Sequence, residues 1–127
     1  MDIKIPTGIK FQKEKVVDEN DLAISYGSGD VPVFATPAMI ALLEQTAKES
    51  VLVHLPEGFT TVGTEINIKH LKGSAVGSKI AAESYLRAVQ GVKLIFELHA
   101  WDQHGMIGIG THTRVIVNKE DFLSKIK

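Results

Sequence analysis

Chemistry in this chain must come from oxygen and nitrogen side chains, because the sequence contains no cysteine. Thiolate nucleophiles, disulfides and cysteine-built metal sites are thereby excluded. Three residues have the type and setting for a reaction. Thr36 stands immediately before Pro37 at the head of a run of helix formers. Its hydroxyl reads most simply as a helix cap. The same position suits catalysis, since free N–H groups and the positive end of the helix dipole favour an oxyanion there. Glu44 precedes Lys48 by four residues, the order that favours a surface ion pair of about 0.2–0.5 kcal/mol. Helical geometry also sets it within roughly 40° of Ile40 and roughly 20° of Val51, at the margin of the apolar stripe. Partial desolvation there would raise a carboxylate's pKa and make it a stronger base near neutral pH. His70 falls on an apolar strand face, where structural histidines are common. Its ionisation near neutrality still makes it the chain's best proton carrier.

A second set, Gly108, Gly110, His112 and Arg114, alternates along one strand face. Glycine inside a strand admits another backbone or a ligand, and a bulge explains it equally well. Arg114 could hold a phosphate or carboxylate bidentately, or form a structural ion pair. His54, His99, His104 and His112 lack the helical i, i+4 pairing and close spacing of a zinc site. No metal is expected.

The elements that must position these residues follow from periodicity. Ile9 to Val17 reads as a half-exposed strand, broken at Asp18-Glu19-Asn20-Asp21, and Gly27 to Pro32 as a turn-rich loop. Thr36-Pro37 starts a helix that runs to about Val53, with Pro37 at its first position and Ile40, Leu43, Ala47 and Val51 as its stripe. Leu55-Pro56-Glu57-Gly58 ends it. Val62, Thr64, Ile66, Ile68 and His70 then share one strand face, with Glu65, Asn67 and Lys69 on the other. Further strands cover Lys79 to Val89, with Ile80, Ala82, Leu86 and Ala88 inward, and the stretch through Leu94, Phe96, Leu98 and Ala100. The last runs from Met106 to Val117, with Ile107, Ile109, Val115 and Val117 on one face. Lys119 to Lys127 suits a short amphipathic helix. A strand, one long helix and four strands joined by tight turns describe an α+β, hotdog-type fold, an antiparallel sheet wrapped around a central helix.

At 127 residues the chain fits a single domain, 1–127. Its 44% hydrophobic and 23% charged residues are those of a folded protein. A formal net charge of −1 gives no footprint for nucleic acid or an anionic membrane. The opening Met1-Asp2-Ile3-Lys4-Ile5-Pro6 has no signal-like apolar run, and a cytoplasmic location is expected.

Several motifs occur in order: Val33-Phe34-Ala35-Thr36-Pro37, Leu43-Glu44, Thr61-Val62-Gly63-Thr64 with His70, and Gly108-Ile109-Gly110-Thr111-His112 with Arg114. Together they resemble the fluoroacetyl-CoA thioesterase family of hotdog proteins, over about Val16 to Val117. The resemblance implies a homodimer that hydrolyses an acyl-CoA to a carboxylate and free CoA, with assembly into a higher oligomer left open. It implies no cofactor beyond the CoA of the substrate. It places the catalytic Thr, Glu and His on Thr36, Glu44 and His70, and substrate contacts on Gly63 and Arg114. The chain departs from the family's founding enzyme before the Val-Phe-Ala-Thr motif. An aromatic-rich segment there is replaced by Tyr26-Gly27-Ser28-Gly29-Asp30, so fluoroacetyl specificity does not follow.

Geometry sets a condition on that site. Eight residues of regular helix separate Thr36 from Glu44 by about 12 Å along the axis and about 80° around it. One reaction centre using both needs a bend near Thr36 or residues from two protomers. Two other readings are a noncatalytic acyl-CoA binding or sensing protein, and an enoyl-CoA hydratase or dehydratase of the same fold. No ordered Asp and His motif favours the latter.

Overall fold

Period-two alternation over most of the chain produces five strands: β1 (Lys10–Val16), β2 (Phe59–His70), β3 (Lys79–Gln90), β4 (Lys93–Asp102) and β5 (Gly105–Asn118). A computed structural model describes residues 3–126, so the terminal Met1, Asp2 and Lys127 lie outside the described residues. The strands form one antiparallel sheet in the order β1-β3-β4-β5-β2. The hairpin turns between β3, β4 and β5 use Gly91 and Gly105 at φ 64° and 133°, left-handed backbone that glycine adopts without a Cβ clash. The inward residues of β4, Leu94, Phe96, Leu98 and Ala100, are fully buried, as their alternation predicts.

Across one face of the sheet lies the long helix α2 (Thr36–Leu52), preceded by a 3₁₀ turn at Glu19–Asp21 and a one-turn helix α1 (Ala23–Tyr26), and a last helix α3 spans Lys119–Ser124. Met39, Leu43, Ala47 and Val51 of α2 are fully buried, and the helix packs on β1, β2, β3 and β4. This is the expected hotdog arrangement. Among the described residues no helix is long and apolar enough to cross a membrane.

Several local expectations change. The helix begins one residue early: Ala35 is the N-cap, with no side-chain cap bond, and Pro37 is the second helical residue. Its missing N–H costs nothing there either, because the first four helical N–H groups have no intrahelical partner. Thr36 is therefore not the cap. The approach to the helix is held by backbone bonds instead, from Phe34 N–H to the Ser74 carbonyl and from Ala35 N–H to the Asp21 carbonyl, both 2.8 Å. Leu42, not Ile40, completes the buried stripe.

Bulges account for the strand errors. In β2 the pairing steps from Gly63 opposite Arg114 to Glu65 opposite Thr113, leaving Thr64 unpaired. An extra residue reverses the faces of everything before it, so Thr61 and Gly63, rather than Val62 and Thr64, share a side with Ile66, Ile68 and His70. In β3 a similar step at Arg87 turns Ala88 away from the helix. In β5 the buried face is His112, Arg114 and Ile116, while Ile109 is 37% exposed. Ile107 is buried because a further irregularity interrupts the β4 pairing beside it.

Candidate active site

The first turn of α2 and the last residue of β2 meet. Thr36 Oγ1 and His70 Nδ1 lie 2.7 Å apart, although 34 positions separate them in sequence. The hydroxyl is free for this contact because it does not cap the helix. His70 Nε2 is buried and has no hydrogen-bond partner among the described residues. Burial pushes the imidazole below its ordinary pKa, and the Lys72 backbone pulls weakly the other way. In the neutral tautomer that carries its proton on Nε2, the ring presents the Nδ1 lone pair to the Thr36 hydroxyl as an acceptor. Hydroxyl and base are thus paired at the positive end of a 17-residue helix.

Glu44 lies elsewhere. It lines a groove of about 440 Å³ with Lys48, Thr61, Gly63 and Arg114. Among the described residues it forms no ion pair with Lys48. Its carboxylate comes so near the β2 backbone that a Cβ on Gly63 would sit 3.2 Å from Oε2, 3.1 Å from His112 Cε1 and 3.4 Å from Arg114 Nη1. Gly63 is the residue that lets these three side chains converge.

Beneath that groove a buried network fixes Arg114. Its Nε donates to Thr61 Oγ1 at 2.7 Å and its Nη2 to the Thr61 carbonyl at 2.9 Å. His112 Nδ1 lies 2.7 Å from the Glu65 carbonyl, which can only accept, so Nδ1 carries the proton. Nε2 is then free to accept from Arg114 Nη1 at 3.1 Å. Burial lowers the pKa of His112, helped by Arg114 and opposed by the Glu65 carbonyl and Glu44. Burial likewise lowers that of Arg114, against Glu44. The remaining guanidinium N–H bonds are available to an anion or a carbonyl oxygen in the groove.

Of the five site residues named from sequence, the protomer therefore assembles two groups, Thr36 with His70, and Glu44 with Gly63 and Arg114. The first and second groups do not touch, since Thr36 and Glu44 keep their separation of about 12 Å along a regular helix. Thr61 and His112 are additional site residues. Their signal was period two, which sets His112 beside Arg114 on β5 and Thr61 beside Gly63 on β2. Gly110 explains itself as a backbone contact, because a Cβ there would collide with the Asn67 carbonyl, and Gly108 makes room for the Met39 thioether. Among the described residues no three His, Asp or Glu side chains converge as metal ligands.

Comparison with known proteins places this architecture among the hotdog-fold thioester hydrolases. A solved structure of the fluoroacetyl-CoA thioesterase FlK matches it with a TM-score of 0.91 at 28% identity, covering 97% of this chain and 96% of that one. The chain belongs to the fluoroacetyl-CoA-specific thioesterase family, whose model matches residues 17–120. It is 32% identical over 95 residues to the fluoroacetyl-CoA thioesterase of Streptantibioticus cattleyicolor, across 75% of this chain and 68% of that protein. A Thermus thermophilus member of the thioesterase superfamily shares the fold, with a TM-score of 0.87 at 24% identity over 95% of this chain and 90% of that one.

Proposed function

We propose that this protein hydrolyses a small acyl-CoA thioester to a carboxylate and free CoA, with Thr36, Glu44 and His70 as its catalytic groups and Gly63 and Arg114 contacting substrate. The observation that carries the reading is the 2.7 Å contact between Thr36 Oγ1 and His70 Nδ1 at the head of α2. The neutral imidazole accepts a proton as an oxygen nucleophile adds to the thioester carbonyl. The tetrahedral oxyanion is stabilised by helix N–H groups and the Gly63 backbone. When the C–S bond breaks, the imidazolium returns its proton to the departing thiolate. Three nucleophiles are open: Thr36 Oγ and water activated beside Glu44, which both give up a proton along this path, and the Glu44 carboxylate, which has none to give. Trapping an acyl ester on Thr36 identifies the first, label from heavy-oxygen water in the Glu44 carboxylate after turnover identifies the third, and neither adduct nor label in the enzyme identifies direct attack by water.

Homodimerisation is part of the proposal, because it supplies the missing junction between the two groups. β2 is an edge strand with β5 on one side only, and Gly63 to Asn67 along it are exposed. Gly63 and His70 lie about 23 Å apart along an extended strand. Two copies of β2 paired antiparallel about a two-fold axis near Ile66 and Asn67 would bring Gly63 and Glu44 of one protomer beside His70 and Thr36 of the other. Cytoplasmic location belongs to the same reading.

The test is a thiol-release screen over short-chain, branched and aromatic acyl-CoAs with the wild type and with Thr36→Ala, Glu44→Ala and His70→Ala. Turnover that disappears in all three folded variants supports the centre. A wild type that binds CoA esters yet releases no thiol would establish the noncatalytic binding protein instead. Sedimentation velocity tests the dimer, and a stable monomer with full activity would refute the shared centre.

A further inference from the structure

A buried carboxylate outside the candidate site holds both chain segments that carry the Thr36–His70 pair. Asp102 ends β4, and its side chain is 1% exposed. Its Oδ2 accepts from Lys72 Nζ at 2.6 Å and from Ser74 Oγ at 2.8 Å, and its Oδ1 accepts the His104 N–H at 2.8 Å. Lys72 stands two residues beyond His70. Ser74 turns its carbonyl to the N–H of Phe34, two residues before Thr36, at 2.8 Å. Val33 also bridges to Ala75, and the Leu71 N–H bonds the Ile107 carbonyl at 2.7 Å. One carboxylate therefore anchors the turn that leaves His70 and, through Ser74, the strand that enters Thr36.

Fold stability alone is a poor account of this arrangement. The carboxylate is buried while its partner Lys72 has a side chain 39% exposed. A buried charge offsets its desolvation only when fully hydrogen-bonded, and apolar residues of similar volume often serve a core as well. Here every bond to the carboxylate comes from the 72–74 turn or from its own hairpin. Desolvation works against the charge, but Lys72, Ser74 and the His104 N–H outweigh it and hold the carboxyl at about 2. The anchor stays ionised at any pH where the imidazole is neutral.

We propose that Asp102 is a positioning residue for the Thr36–His70 pair, fixing through Lys72 and Ser74 the turn that aims the imidazole and the segment that delivers the hydroxyl. The proposal rests on the reading of that pair as the proton-transfer unit of the thioesterase. Misplacing reacting groups by a fraction of an ångström to 1 Å lowers rates by roughly 10- to 100-fold.

The test uses Asp102→Asn, which keeps the shape and removes the charge, and Ser74→Ala, which cuts only the link toward Phe34. In folded Asp102→Asn, kcat should fall by roughly 10- to 100-fold with KM within about twofold. Unchanged kcat, or a loss carried by KM alone, overturns the proposal. If Asp102→Asn does not fold, Ser74→Ala is measured in the same way, and the same outcomes support or overturn the proposal. A readout independent of turnover is the ¹⁵N NMR signal of the His70 ring. Loss of the hydrogen-bonded Nδ1 signature in the variant supports the positioning role, and an unchanged signature refutes it. A wild type without thiol release would instead defeat the thioesterase reading while leaving the NMR comparison valid.

Discussion

The Thr36 hydroxyl meets the His70 imidazole at 2.7 Å, and neither group has another side-chain partner among the described residues. The contact joins the first residue of the long helix to the last residue of an edge strand. Replacing Thr36 by Val keeps the branched shape and removes the hydroxyl. Thiol release should fall by about 10²- to 10⁴-fold, the range of a lost proton-transfer group, while stability changes by only about 1 kcal/mol, as for one hydrogen bond. Thr36→Ser should keep most of the activity. Full turnover in Thr36→Val, measured with free thiol as the readout, would remove the hydroxyl from the reaction.

On the proposed role of His70 as the general base, its depressed pKa sets the acid limb of the rate profile. The ring acts as a base only when neutral, and burial holds its pKa below the ordinary 6.5. The kcat profile should therefore rise through a midpoint below 6.5, and a midpoint above 7 would contradict the assignment. Stability follows the same sign. His70 and His112 both have lowered pKa values in the folded chain, so the unfolded chain binds protons first as pH falls through about 6.5. Stability is lost progressively below that pH, until the folded rings also titrate. Denaturant midpoints compared at pH 8 and pH 5.5 measure it, and no decrease on acidification would count against the burial of the two rings.

Gly63 is where the groove is most sensitive to one added carbon. A Cβ would press on His112 Cε1, Glu44 Oε2 and Arg114 Nη1 at 3.1, 3.2 and 3.4 Å. All three are side-chain atoms that can give way by a few tenths of an ångström, so Gly63→Ala should fold. The displaced Glu44 and Arg114 should cost roughly tenfold in kcat/KM, in line with the sensitivity of rates to small misplacements. Kinetics of the folded variant decide it, and unchanged kcat/KM would separate Glu44 and Arg114 from substrate.

The elements and their order were legible in the sequence because period two and period 3.6 are properties of a contiguous window. Thr36, Glu44 and His70 were legible as candidates for the same reason, each standing at a definable place on a helix or strand. The faces around Gly63 were not, because one extra residue at Thr64 reverses a strand's alternation without disturbing its composition. Nor was the role of Thr36. A Thr-Pro pair signals a cap when read locally, whereas the competing partner, His70, stands 34 positions away in sequence and meets it only in the folded chain. Asp102 gave no local sign at all. Its partners Lys72 and Ser74 come from a turn that the sheet order alone brings beside the end of β4.

The two glycines of β5 separate a tolerable clash from an intolerable one. At Gly108 a Cβ would meet the Met39 Sδ and Cε at 2.8 and 2.9 Å. These are the ends of a flexible side chain in a packed core, and Gly108→Ala should cost about 1–3 kcal/mol, as overpacking does. Shortening the obstacle with Met39→Leu should recover part of that loss. At Gly110 the obstacle is the Asn67 carbonyl, which cannot retreat without parting β2 from β5. That strand pair sets both Gly63 opposite Arg114 and His70 opposite Gly108. Gly110→Ala should therefore be the more damaging change, with a loss above about 4 kcal/mol or no folded protein, and no rescue by any substitution at Met39. Chemical denaturation of the two variants and of the Gly108→Ala, Met39→Leu double variant tests the ranking, and a Gly110→Ala protein as stable as Gly108→Ala would refute the close backbone approach on which the β2–β5 register depends.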